Sequence, residues 1–149
     1  MKDVAAAKGA DFVLVGTIGK CPLIDALVKA KKLDVSGVAG KWESAVTTIV
    51  ERPMAGVRRA LVIAGADKRG TIFGIYDLSQ QIGVSPWYWW ADVRVPHQQA
   101  LYVMPGRVVQ AVPAVKYRGI FFNDEAPCLS GWTTEKFGTM NHEFYTKGV

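Results

Sequence analysis

The stretch RRALVIAGADKRGTIFGIYDLSQQIGV, residues 58–84, carries two hydrophobic periods in succession. Ala60 to Ala64 is apolar at every position, the pattern of a strand covered on both faces. Beyond it Ile72, Ile75, Leu78 and Ile82 recur at helical spacing, and Gly83 supplies a C-terminal stop. A strand buried on both sides that feeds a helix predicts an α/β domain with this strand at the centre of its sheet.

Upstream, ESAVTTIV at 43–50 is rich in β-branched residues, and the turn-like RPMAG at 52–56 joins it to the central strand. FVLV at 12–15 is a further short strand, stopping at Gly16 and Gly19. A helix follows, because Pro22 suits a first helical position and Leu23, Ile24, Leu27 and Val28 share one face. Lys29, Lys31 and Lys32 fall where the helix dipole favours cations. Downstream, SPWYWWADVRVP at 85–96 and ALYVMPGRVV at 100–109 read as extended segments that Pro86, Pro96 and Pro105 keep short or at an edge. The expected fold for residues 1–112 is a small mixed-sheet α/β sandwich. From Pro113 the register changes: AVKYRGIFFNDEAP at 114–127 predicts one more apolar strand, and WTTEKFGTMNHEFYTKGV a loop entering a helix with Phe137, Met140, Phe144 and Tyr145 at apolar spacing.

With 149 residues, half of them apolar, the chain has enough material for a real core. The formal net charge of +5 is carried by runs of no more than two basic residues with acids between them, which disfavours a nucleic-acid partner. Cys21 and Cys128 are too few for a disulfide framework or a zinc site. The opening MKDVAAAKGADF lacks the apolar core of a secretory signal, and no apolar run is long enough to span a bilayer, so no membrane partner is expected.

Several motifs carry chemistry in principle. Gly65 to Thr71 nearly spells a phosphate-binding loop, but Gly70 is followed directly by Thr71, and Lys68 and Arg69 stand out of register; a structural turn outweighs a nucleotide site. Trp87, Tyr88, Trp89 and Trp90 are either a stacking platform for sugar rings or bases, or a stitched core or domain junction, with the core reading favoured. His97 reads as solvated. His142 begins a zinc-protease-like pair whose second histidine position holds Thr146, so no metal is expected. No serine lies in a Gly-x-Ser-x-Gly elbow. There remain Asn123, Asp124 and Glu125 at the end of the last strand. There Ile120, Phe122 and Asp124 share one face, and Phe121, Asn123 and Glu125 the other. Adjacent acids on opposite faces supply one carboxyl group at most to a substrate, so any catalytic partner acid comes from elsewhere.

KWES at 41–44, the block at 58–93 ending PWYWWADV, PAVKYRGIFFNDEAP at 113–127, and GW followed by KFGTMNHEFY at 131–145 together resemble glycoside hydrolase family 115, the xylan α-1,2-glucuronidases. The resemblance spans roughly residues 10–147. It implies an N-terminal α/β domain, residues 1–112, and the first strand and helix of a (β/α)8 catalytic barrel, residues 113–149, of a longer parent. It also implies inverting removal of glucuronic acid or its 4-O-methyl ether from xylan branches, with glucuronoxylan or its oligosaccharides as partner, no cofactor, and inactivity of this chain alone. Asp124, then Glu125, are the implied catalytic residues; Asn123, Trp132 and Asn141 the implied substrate contacts. The resemblance further implies a secreted or periplasmic parent and allows a homodimer of it. A carbohydrate-binding or phosphate-binding module without catalysis stays open beside this reading.

Overall fold

Four strands, β1 (Asp11–Thr17), β2 (Ala45–Glu51), β3 (Arg59–Gly65) and β4 (Arg107–Gln110), form one sheet in the order β1-β3-β2-β4. They belong to a computed structural model that describes residues 11–85, 87–88, 93–119, 121, 129–139 and 141–148. The chain divides into two compact units, Met1–Ala114 and Val115–Val149. The first is a small mixed α/β domain. β3 pairs parallel with β1 and antiparallel with β2, and β4 pairs antiparallel with β2. The apolar run at 60–64 is therefore central, and Val62, Ile63 and Ala64 are fully buried.

Period two sorts the sheet into two faces. Leu14, Val62, Ala64, Val46 and Val50 point to one side, where they meet Ile24 and Leu27 of helix α1 (Pro22–Lys29) and Leu33 and Val38 of the loop after it. Burying each such side chain contributes about 1.5–3 kcal/mol, so this layer is the main core. α1 starts at Pro22, whose missing N–H costs nothing at a first helical position. Short polar ties close the layer. Ser44 Oγ donates to Val38 O at 3.1 Å and Lys41 O at 2.8 Å, and the Arg107 guanidinium clips β4 to the loop by donating to Asp34 O at 3.2 Å and Ser36 O at 2.5 Å.

The opposite face carries helix α2 (Lys68–Gln81). Its close approach depends on glycine. A Cβ added at Gly74 would lie 2.6 Å from Ile63 Cγ2 and 3.2 Å from Ala45 Cβ, and one at Gly70 would lie 2.2 Å from Ser44 O. α2 ends as its sequence predicts: Gly83 has φ +93, its N–H reaches Gln80 O at 3.0 Å, and Val84 N–H reaches Ser79 O at 2.9 Å. This is the paired bonding that satisfies the last helical carbonyls.

Two expectations for the first unit change. Trp87 and Tyr88 lie in a helical turn, not in an extended strand. Ser85 starts it, its Oγ accepting from Trp87 N at 3.2 Å and its carbonyl from Tyr88 N at 3.3 Å. Of the segment at 100–109, β4 alone pairs; Leu101 to Met104 have no regular structure.

In the second unit, helix α3 (Leu129–Phe137) is followed by a π-helical turn, Phe144–Gly148. The stretch from Trp132 was expected to be a loop entering a helix; it is instead helical up to Phe137 and breaks there, because Gly138 takes φ +76 and its N–H closes on Thr134 O at 3.1 Å. Phe144, 2% exposed, packs edge-on against Phe137 at 5.8 Å and Tyr145 at 5.0 Å between ring centroids. The apolar strand expected over 114–122 does not form among the described residues: 115–119 and 121 enter no ladder. Its apolar side chains stand in solvent, Tyr117 at 86% and Phe121 at 91% exposure. A strand is stabilised by neighbours that cover its faces and pair its backbone, and these exposed side chains are not covered in that way.

Candidate functional site

The C-terminal ends of the parallel strands β1 and β3 meet at the entry to α2, where α/β sheets place ligands. Here the chain fills the place itself. The Asp67 carboxylate caps α2, its Oδ1 accepting from Gly70 N at 2.7 Å and its Oδ2 from Glu43 N at 2.8 Å. Thr71 Oγ1 lies 2.7 Å from Thr17 Oγ1 and donates to Asp67 O at 2.9 Å. The cation one would want free for a phosphate is engaged, as Arg69 pairs with buried Glu43 at 2.5 Å and lies 5.5 Å over the Phe73 ring. A helix start whose amide is taken by an internal carboxylate is a structural turn.

A second concavity has the opposite character. Tyr76, Ser79, Gln80 and Gly83 stand at i, i+3, i+4 and i+7 along one face of α2 and its stop, so they line up toward the turn that carries Trp87. Together with Val84 and Ser85 they bound a hollow of about 820 Å³. Tyr76 is 64% and Trp87 60% exposed. For Trp87 the core reading is therefore overturned: the ring is held at the surface by the turn after Ser85. Tyr88 is exposed as well, at 57%. Trp89 and Trp90 lie outside the described residues. Tyr76 and Gln80 were not singled out in the sequence; their signal was the i, i+3, i+4 spacing of Tyr76, Ser79 and Gln80 along α2.

Of the residues read as the site, Asn123, Asp124 and Glu125 lie outside the described residues. Trp132 falls within α3. Asn141 is placed clearly, and it is a staple: Nδ2 donates to Phe137 O at 2.8 Å while Oδ1 accepts from Phe144 N at 3.0 Å. It thus ties the end of α3 to the start of the next turn, the work of an N-cap. Among the described residues, no three His, Cys, Asp or Glu side chains come together in a way that would hold a metal ion.

A strongly perturbed carboxyl lies at the far end of the sheet. Asp11 receives hydrogen bonds from Arg59 and Arg58, which together hold its carboxyl down to about 2. This triad joins the starts of β1 and β3. It is exposed, and Asp11 and Arg59 stand at the rim of a hollow of about 390 Å³ that Leu101, Tyr102 and Val103 also line.

The fold and these sites define a small mixed α/β domain followed by a second unit whose described residues include helix α3 and a π-helical turn. Comparison with known families adds that residues 110–149 match the model of glycosyl hydrolase family 115. The match takes in the segment with Asn123, Asp124 and Glu125 and all of the second unit; the blocks at 41–44 and 58–93 lie outside it. No curated protein matches the chain.

Proposed function

We propose that this chain is part of a glycoside hydrolase that removes glucuronic acid, or its 4-O-methyl ether, from the α-1,2 branches of xylan with inversion. Residues 113–149 then open the (β/α)8 catalytic barrel, and the first unit is an accessory domain ahead of it. The family match over 110–149 carries this reading. The exposure of Val115, Tyr117 and Phe121 supports it, since side chains of a first barrel strand are covered only when the other strands and helices are in place.

Asp124 is the proposed contact to the sugar or the attacking water at the mouth of that strand, with Glu125 second, and Asn123 and Trp132 contacting substrate. Inversion takes two carboxyl groups about 6.5–9.5 Å apart, one protonating the leaving oxygen and one activating water. Neighbouring strand residues on opposite faces provide one of these, so the second acid comes from further sequence and the chain alone is inactive. A secreted or periplasmic parent that meets glucuronoxylan or its oligosaccharides is part of this proposal. Uronic acid release from glucuronoxylan tests the proposal. The chain alone is expected to release none, and the chain continued into a family 115 catalytic domain to release it, with a loss of at least about 100-fold for Asp124→Asn. A continued chain without activity, or one indifferent to Asp124→Asn and Glu125→Gln, overturns it.

A further inference from the structure

We propose that the hollow between α2 and Trp87 is a saccharide-binding site, separate from the hydrolytic centre, which takes an uncharged sugar unit of a polysaccharide chain against the Tyr76 and Trp87 rings. Four observations lead there. Two large rings stand more than half exposed beside one cavity of about 820 Å³, within the range of small-ligand sites. Exposed tryptophan is costly unless something covers it, since the ring offers a large apolar area for burial. The polar groups that line it suit hydroxyls: the Gln80 amide, the Tyr76 hydroxyl and Ser85 Oγ can each donate and accept. Last, none of the described lining residues is charged.

The final point selects the ligand. A groove that stacks bases also neutralises phosphates with lysine or arginine, and neither is found among the described residues that line this one. A pyranose presents an axial C–H face to an aromatic ring and hydroxyls at its rim, which matches a lining of two rings, an amide and hydroxyls. Ser79 contributes less, because its Oγ already donates to Ile75 O at 2.9 Å. The choice of a saccharide rests on the glycoside hydrolase reading. The position of the hollow does not, since it lies wholly in the first unit. Such a site would hold the polymer near the enzyme and raise its local concentration.

Titration of the whole chain with xylotetraose and cellotetraose, followed by calorimetry and by amide chemical shifts, tests the proposal. Shifts are expected to centre on residues 76–88. Trp87→Ala is expected to weaken binding about tenfold or more, Gln80→Ala severalfold, and Phe121→Ala not at all. If Trp87→Ala fails to fold, Tyr76→Ala and the wild-type shift map decide. No shift with either sugar, equal binding by Trp87→Ala, or concentration-dependent self-association that buries the hollow overturns the site. Uronic acid release by the continued enzyme is independent of these results, so the hollow and the hydrolase reading fail separately.

Discussion

Gly74→Ala sets two known effects against each other. In an exposed helix, alanine for glycine stabilises by about 1 kcal/mol, because glycine gives up more backbone freedom. At Gly74 the new methyl would lie 2.6 Å from Ile63 Cγ2, about 0.9 Å inside an ordinary carbon–carbon contact of roughly 3.5 Å. Ile63 cannot retreat. It is fully buried on β3, which is hydrogen-bonded to β1 on one side and β2 on the other. The helix must lift instead, loosening its contact with Ala45 as well. Overpacking of this kind costs about 1–3 kcal/mol, so the net expectation is destabilisation by about 1 kcal/mol, up to 2. For a domain of this size that lowers the melting temperature by roughly 5–10 °C. Urea unfolding of Gly74→Ala, Ile63→Ala and the double variant gives the coupling directly: the double variant is expected to lose less than the sum of the two. A Gly74→Ala protein more stable than the parent, or additive with Ile63→Ala, would refute the packing of α2 on β3.

Asp67→Ala removes one acceptor from two amides, Gly70 N and Glu43 N, and is expected to cost about 2 kcal/mol in the urea midpoint, while Asp67→Asn, which keeps one acceptor oxygen, costs less. The Asp11 carboxyl has a folded value of about 2 against an ordinary 3.8, so its pairing with Arg59 and Arg58 is fully felt above the upper value and lost as pH falls through the lower. Asp11→Asn is expected to remove that acid-side dependence and leave a small deficit near neutrality, measured as melting temperature against pH; an unchanged acid limb would count against the triad. The effect is small because all three groups are exposed.

Much of the first unit was legible in the sequence. The continuous apolar run at 60–64 placed β3 between two partners, Pro22 started α1, and Gly83 stopped α2, each because a local chemical constraint and the tertiary structure agree. The turn at Trp87 was misread because aromatic residues favour strands, whereas Ser85 accepts from the amides that follow and so starts a turn. Asp67 as a cap was available from its place three residues before Gly70; its reach back to the Glu43 amide was not, as a 24-residue separation leaves no local trace. The last strand shows the converse case. Tyr117 to Phe121 has strand composition, but a ladder needs partners, and composition cannot provide them. The hollow at Tyr76 and Trp87 joins two segments that the period of α2 alone does not bring together.

Amide hydrogen exchange on the monomeric chain tests most directly whether 115–121 is a barrel strand awaiting its neighbours. Amides of Tyr117, Arg118, Gly119 and Phe121 are expected to exchange at near-unprotected rates while those of Val62 and Ile63 stay protected, and to gain protection once the chain is continued into a family 115 catalytic domain. Protection of Tyr117 to Phe121 equal to that of β3 in the monomer, or none in the continued protein, would contradict the account.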